Sequence, residues 1–144
     1  MKITIYTDGG ARGNPGPAAI GIIITQEGQT LKKYSEFIGQ ATNNQAEYQA
    51  VIFALKKIKL LFGKKKAKTM EIEICLDSEL VAKQLNHQYK IKEKDLQPLF
   101  LKVWNLILDF GQISFKYIPR QQNKEADRLV NQALDAQEKT QTLL

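Results

Sequence analysis

Four acids stand in the most distinctive stretches of this chain: Asp8 in "TDGGARGNPGPAAIG", Glu47 in "TNNQAEYQAVIFAL", Asp77 in "LDSELV" and Asp127 in "PRQQNKEADRLVNQAL". What a set of carboxylates offers is oxygen ligation. Mg²⁺ is a hard cation that takes oxygen ligands and keeps several of its waters, so a few acids that leave positions open suit it. Taken singly, each acid has an ordinary explanation. Asp8 before Gly9 and Gly10 opens a turn, and Asp77 before Ser78 caps a helix. Glu47 and Asp127 near helix starts complement the helix dipole, with Arg128 nearby as a solvent-side partner. Whether the four meet depends on the elements that carry them.

Those elements are legible from hydrophobic periodicity. "KITIYT" (Lys2 to Thr7) alternates as a strand, "AAIGIIIT" (Ala18 to Thr25) is an apolar run, and "LKKYSEFIG" (Leu31 to Gly39) is a more polar third strand. Their close spacing predicts an antiparallel meander. From Asn44 the period becomes helical through Ala46, Ala50, Phe53, Ala54, Ile58 and Leu61, with Gly63 as the stop. Met70 to Leu76 is a fourth strand, Asp77 to Leu85 a helix, and Asp95 to Phe110 a longer apolar helix with Pro98 near its start. Gln112 to Pro119 is a fifth strand and Asn123 to Lys139 a last amphipathic helix. Helical crossovers join parallel neighbours, so strands one, four and five run parallel with the meander on one side. The expected fold is α/β: one mixed five-stranded sheet flanked by helices.

On that sheet Asp8 and Asp77 end two parallel neighbours and lie side by side. Glu47, in the first turn of the helix after strand three, and Asp127, in the first turn of the final helix, return to the same edge. Sheet edges of this kind are where α/β folds place their chemistry.

Length and composition set the outer limits. The 144 residues fit one domain, 1–144, with about 138–144 expected as a frayed tail. A hydrophobic fraction of 43% with 25% charged residues is that of a globular protein. The apolar runs are strand-length or interrupted by lysine, and the N-terminus enters a strand without a signal-peptide pattern, so a cytoplasmic protein with no membrane partner is expected. A monomer is expected too. Cys75 is the only cysteine, which leaves no internal disulfide, and "IEICLD" reads as a setting for a small buried hydrophobe. Lysine and arginine total 21 against 15 acids, a net charge of +6 that favours polyanionic partners.

In order, and over nearly the whole chain, the four motifs resemble the type 1 ribonuclease H family, enzymes that cut the RNA strand of RNA–DNA hybrids. The resemblance implies the ribonuclease H-like fold and matches Asp8, Glu47, Asp77 and Asp127 to the family's four catalytic, metal-holding carboxylates. It implies two Mg²⁺ ions, with Mn²⁺ as a substitute, water as the nucleophile and 5′-phosphomonoester products. Asp8 would bridge both ions, Glu47 and Asp77 would hold the leaving-group ion, and Asp127 the ion that activates water. Substrate contacts are implied at Gly9, Gly10, Ala11, Ser78 and Glu79. The glycines let backbone N–H groups approach a phosphate or sugar. By the same resemblance Asn14 and Thr42 hold a DNA phosphate, while Asn43 and Gln45 reach the minor groove. Capping by one residue of Thr42-Asn43-Asn44 is compatible with this. Cutting RNA only when it is paired with DNA requires sensing the 2′-OH and groove shape, so cleavage is expected without base-sequence specificity.

The chain departs from the family in two places. The loop "PRQQNKEAD" lacks the histidine many members carry; Arg120 is the candidate to assist product departure, and Asn123 to orient a water or the loop. His87 reads as an exposed helix-end residue. A basic helical protrusion is reduced to "HQYKIKEKD", with Lys90, Lys92 and Lys94 as remaining phosphate contacts. Lys64 to Lys68 reads as a solvated connector and Trp104 as core. These departures leave double-stranded RNA open as a second substrate, and the alternative reading is a catalytically silent module that binds hybrid or double-stranded RNA.

Overall fold

The computed structural model describes residues 1–143. Strands β1 (Lys2–Ala11), β2 (Gly16–Gln26) and β3 (Gln29–Ala41) form the meander, and β4 (Glu71–Leu76) and β5 (Gln112–Tyr117) complete one sheet in the order β3-β2-β1-β4-β5. β1 pairs antiparallel with β2 and parallel with β4, and β4 pairs parallel with β5. The helices are α1 (Asn43–Phe62), α2 (Lys64–Ala67), α3 (Glu79–Leu85), α4 (Gln97–Ile107) and α5 (Lys124–Leu143), the last preceded by a 3₁₀ turn at Arg120–Gln122. None of the described helices is long and apolar enough to cross a membrane.

β2 is covered on both faces, which is why its sequence is nearly all apolar. Ile20, Ile22 and Ile24 join Ile3, Ile5, Val51, Leu55 and Ile58 in the main core under α1. Ala19 packs with Val130 and Leu134, and Ile23 with Ala126 and Leu129, under α5. Gly21 permits that second layer: a Cβ there would overlap the Ala126 carbonyl and lie 2.9 Å from Leu129 Cβ.

Three expectations are corrected. β1 does not stop at Thr7: Gly9, Gly10 and Ala11 continue it, paired with Ile20, Ala19 and Ala18. Small side chains carry no alternation to reveal a strand, yet their backbone completes the hairpin ladder. Trp104 is 53% exposed, because of α4 only Leu99 and Val103 are buried and the outer side of the helix has no covering layer. Lys64 to Lys68 is not a plain connector but mostly the short helix α2, anchored by buried Ala67. The span expected as a tail from about 138 continues α5 as far as Leu143, and Glu138 is engaged by Arg12. The remaining residue of that tail, 144, lies outside the described residues. His87 is exposed, and Cys75 is buried and free, as expected.

Candidate active site

The last pair between β1 and β4 is Thr7 with Leu76. One residue further on, Asp8 remains in β1 while Asp77 leaves β4, so the two carboxylates emerge where the parallel ladder ends. α1 is delivered to the same point by its cap. Thr42 Oγ1 accepts from Gln45 N at 3.1 Å, and Gln45 Oε1 accepts from Thr42 N at 2.8 Å, a reciprocal capping box. The helix then crosses β1 at Gly9, where a Cβ would overlap the Ala46 carbonyl. That contact is possible only for glycine, and it sets Glu47 beside Asp8. Glu47 is in the second turn, not the first.

Ligand oxygens of Asp8, Glu47 and Asp77 all lie within 4.8 Å of one another. Asp8 and Glu47 are each 6% exposed and Asp77 is half-buried. Burial and the Asp77 charge push the Asp8 carboxyl from its ordinary 3.8 up to about 7. Burial and the Asp8 charge raise Glu47 well above the usual carboxylate range. Glu47 Oε2 is buried with no hydrogen-bond partner, and none of the three acids forms an ion pair with a described residue. An unpartnered buried carboxylate oxygen is costly. Three clustered acids, one with a bare oxygen, form the donor set a hard divalent cation takes, so the residues present fit such an ion.

These acids open into a cavity of about 810 Å³. Asp127, in the first turn of α5, lines it as well but is exposed and stands outside the three-acid group. Arg128 turns away to Glu125, at 2.6 Å, and does not neutralise the site. Gly9, Gly10, Ala11, Asn43, Ser78, Glu79 and Arg120 line the cavity; Asn14, Thr42 and Gln45 do not. Ala11 N donates to Asn43 Oδ1 at 2.9 Å and Asn43 N to Asn14 Oδ1 at 2.9 Å, so these groups brace the hairpin against the start of α1. Ser78 Oγ caps α3 by accepting from Val81 N, and Glu79 pairs with Lys83.

Asn123 is 2% exposed, and its Nδ2 donates at 2.9 Å to both Thr7 O and Asp77 Oδ2. The loop before α5 is thereby fastened to the ends of β1 and β4, and the Asp77 carboxylate is held by a neutral donor. Sequence reasoning missed Arg12, Lys124 and Asn131 in the cavity wall. The signal for Asn131 was its position one turn after Asp127.

A family model described as reverse transcriptase-like matches residues 6–133. A bifunctional protein of Mycobacterium tuberculosis is 38% identical over 138 residues, covering 94% of this chain and 36% of that protein. The chain thus spans about a third of the length of that curated relative. Ribonuclease H1 of Halobacterium salinarum is 37% identical, with a TM-score of 0.86 over 94% of this chain and 99% of that one. LC11-RNase H1, solved in complex with an RNA/DNA hybrid, is 48% identical with a TM-score of 0.88, covering 93% of this chain and 97% of that one.

Proposed function

Because the chain belongs to the type 1 ribonuclease H family, we propose that it is a metal-dependent endoribonuclease that hydrolyses the RNA strand of RNA–DNA hybrids without base-sequence specificity. The observation that carries this reading is the trio of carboxylates lining an open, polar-walled cavity, with no ion pair from any described residue to satisfy them. It is supported by the likeness to LC11-RNase H1, whose complex holds an RNA/DNA hybrid.

Asp8, Glu47 and Asp77 would hold the metal with Asp127 completing the set, and Mg²⁺ is the proposed ion, two per site, with Mn²⁺ able to replace it. Bound there, divalent ions lower the pKa of water and offset the charge that builds on the attacking and leaving oxygens. Asp8 is the acid proposed to be shared, since its carboxyl interacts with those of Glu47, Asp77 and Asp127. Asn123 keeps the Asp77 carboxylate aimed by donating to Oδ2, and its second bond, to Thr7 O, fixes its own position. Gly9 and Gly10 leave the cavity wall bare, so that a sugar–phosphate backbone can come close. Arg120, exposed on the rim, is the cation proposed to assist departure of the cut strand.

The test uses an RNA strand labelled at one end and paired with DNA in one tube and with RNA in another, incubated with Mg²⁺, Mn²⁺ or EDTA. Metal-dependent cuts throughout the hybrid support the proposal, and cuts in both duplexes extend it to double-stranded RNA. Binding without cleavage in any metal would replace it with the silent binding module.

A further inference from the structure

We propose that Arg12 and Asn131 act together as positioning residues for Asp127, the exposed acid of the site; the inference rests on the ribonuclease reading above. Asp8 and Glu47 are fixed by burial, and Asp77 by Asn123. Asp127 has neither. Asn131, one turn later on α5, donates from Nδ2 to Asp127 O at 3.1 Å and to Asp127 Oδ2 at 3.4 Å.

Which end of the Asn131 amide faces Asp127 is decided by Arg12. A guanidinium only donates, so the amide oxygen must face it and the NH₂ must face the carboxylate. Arg12 Nη2 donates to Asn131 Oδ1 at 3.2 Å and to Asp135 Oδ1 at 2.7 Å, while Nη1 donates to Glu138 Oε1 at 2.7 Å. With the amide reversed, its oxygen would lie against the Asp127 carboxylate and repel it. Asp135 and Glu138 occupy both branches of the guanidinium fork, so Arg12 is held in place and is not free to grip a phosphate.

The other end of the device is the β1–β2 hairpin. Arg12 N donates to Pro17 O at 2.8 Å, and Ala11 and Asn14 tie the same hairpin to the start of α1 through Asn43. The segments that deliver Asp8, Glu47 and Asp127 are therefore joined through one loop. Exposed ion pairs of this kind add little to stability, about 0–1 kcal/mol each. Orientation of the amide is what distinguishes this arrangement from an ordinary surface contact.

Arg12→Met, Asn131→Ala and the double variant of the full chain test the proposal. Single-turnover cleavage of an RNA–DNA hybrid in Mg²⁺ and hybrid affinity are compared for all of them, and the Asn131 side-chain NH₂ resonances of ¹⁵N-labelled protein in EDTA for the unsubstituted protein and Arg12→Met. Each single substitution is expected to slow cleavage of bound hybrid roughly fivefold to twentyfold. The double variant should be no slower than Asn131→Ala alone, with affinity unchanged within about twofold, because both residues act through one contact. Arg12→Met should shift the Asn131 resonances with no metal or nucleic acid present. Weakened affinity with an unchanged rate would make Arg12 a phosphate contact and overturn the proposal, as would additive losses in the double variant or unmoved resonances. Failure of the unsubstituted protein to cut hybrid would refute the ribonuclease reading, and the resonances alone would still decide whether Arg12 orients Asn131.

Discussion

Replacing Asp8 with Asn should make the metal-free protein more stable at pH 8 while abolishing its metal-dependent activity. Burial and the Asp77 charge raise the Asp8 carboxyl from 3.8 to about 7. At 1.36 kcal/mol per pKa unit this is about 4 kcal/mol of differential interaction. The folded state holds this proton more tightly than the unfolded chain does, so the associated stability is present below about pH 4. It is lost as the pH rises to about 7. Asn carries no charge at any of these pH values and keeps the shape. Its NH₂ also offers a donor where Glu47 Oε2 has none. Urea unfolding of both proteins in EDTA at pH 4.5 and pH 8 measures the effect. The predicted difference is about 1 kcal/mol at pH 4.5 and about 4 kcal/mol at pH 8, in favour of Asp8→Asn. Comparing the two proteins cancels Glu125, which Arg128 and Lys33 hold at about 2 and which titrates in both. Mg²⁺ should then close the gap by stabilising only the unsubstituted protein. Equal stabilities at pH 8 in EDTA would refute the reasoning, since they would mean that Asp8 bears no burial or charge penalty.

Asn123→Ala removes the donor to Thr7 O and Asp77 from a buried position and should cost about 1–3 kcal/mol in urea unfolding, with a slower cleavage step at unchanged hybrid affinity. Gly9→Ala drives a methyl into the Ala46 carbonyl and should destabilise by about 3 kcal/mol or more. Gly10→Ala meets only Val130 Cγ1 at 3.4 Å and should stay within about 1 kcal/mol by the same assay. Trp104→Ala, on the uncovered side of α4, should cost no more than about 1 kcal/mol, where a core tryptophan would cost about 3–5 kcal/mol.

The sheet and the carriers of the four acids were legible because each signal is local. Alternation marks β1 and β4, the continuous apolar run marks β2, and the change of period at Asn44 marks α1. What escaped depends on contacts distant in sequence. Gly9 to Ala11 have no side-chain pattern, and only pairing with Ala18 to Ile20 makes them a strand. The spacing of Phe100, Val103, Trp104, Ile107 and Leu108 shows an apolar helix but not which of its sides a second layer covers. Leu101, Trp104 and Leu108 are in fact exposed. The last turns of α5 are polar and look unsupported until Arg12, more than 120 residues earlier, is seen to bind Asp135 and Glu138. The site was legible in its acids and in Asn123, but not in Asn131. Asn123 and Asn131 act through hydrogen bonds to particular oxygens, and no periodicity encodes those partners.

Asp77 is the acid of the central trio held by Asn123 rather than by deep burial, so its charge can be removed with the least disturbance to packing. The decisive measurement is therefore single-turnover cleavage of an RNA-labelled hybrid by the unsubstituted protein and by Asp77→Asn, with hybrid affinity measured in parallel. The account predicts metal-dependent cutting by the first. It predicts a loss of at least about 1,000-fold in the second, which is about 4 kcal/mol of transition-state stabilisation, with affinity kept within about threefold. Cleavage by Asp77→Asn at the unsubstituted rate, or no cleavage by either protein, would contradict it.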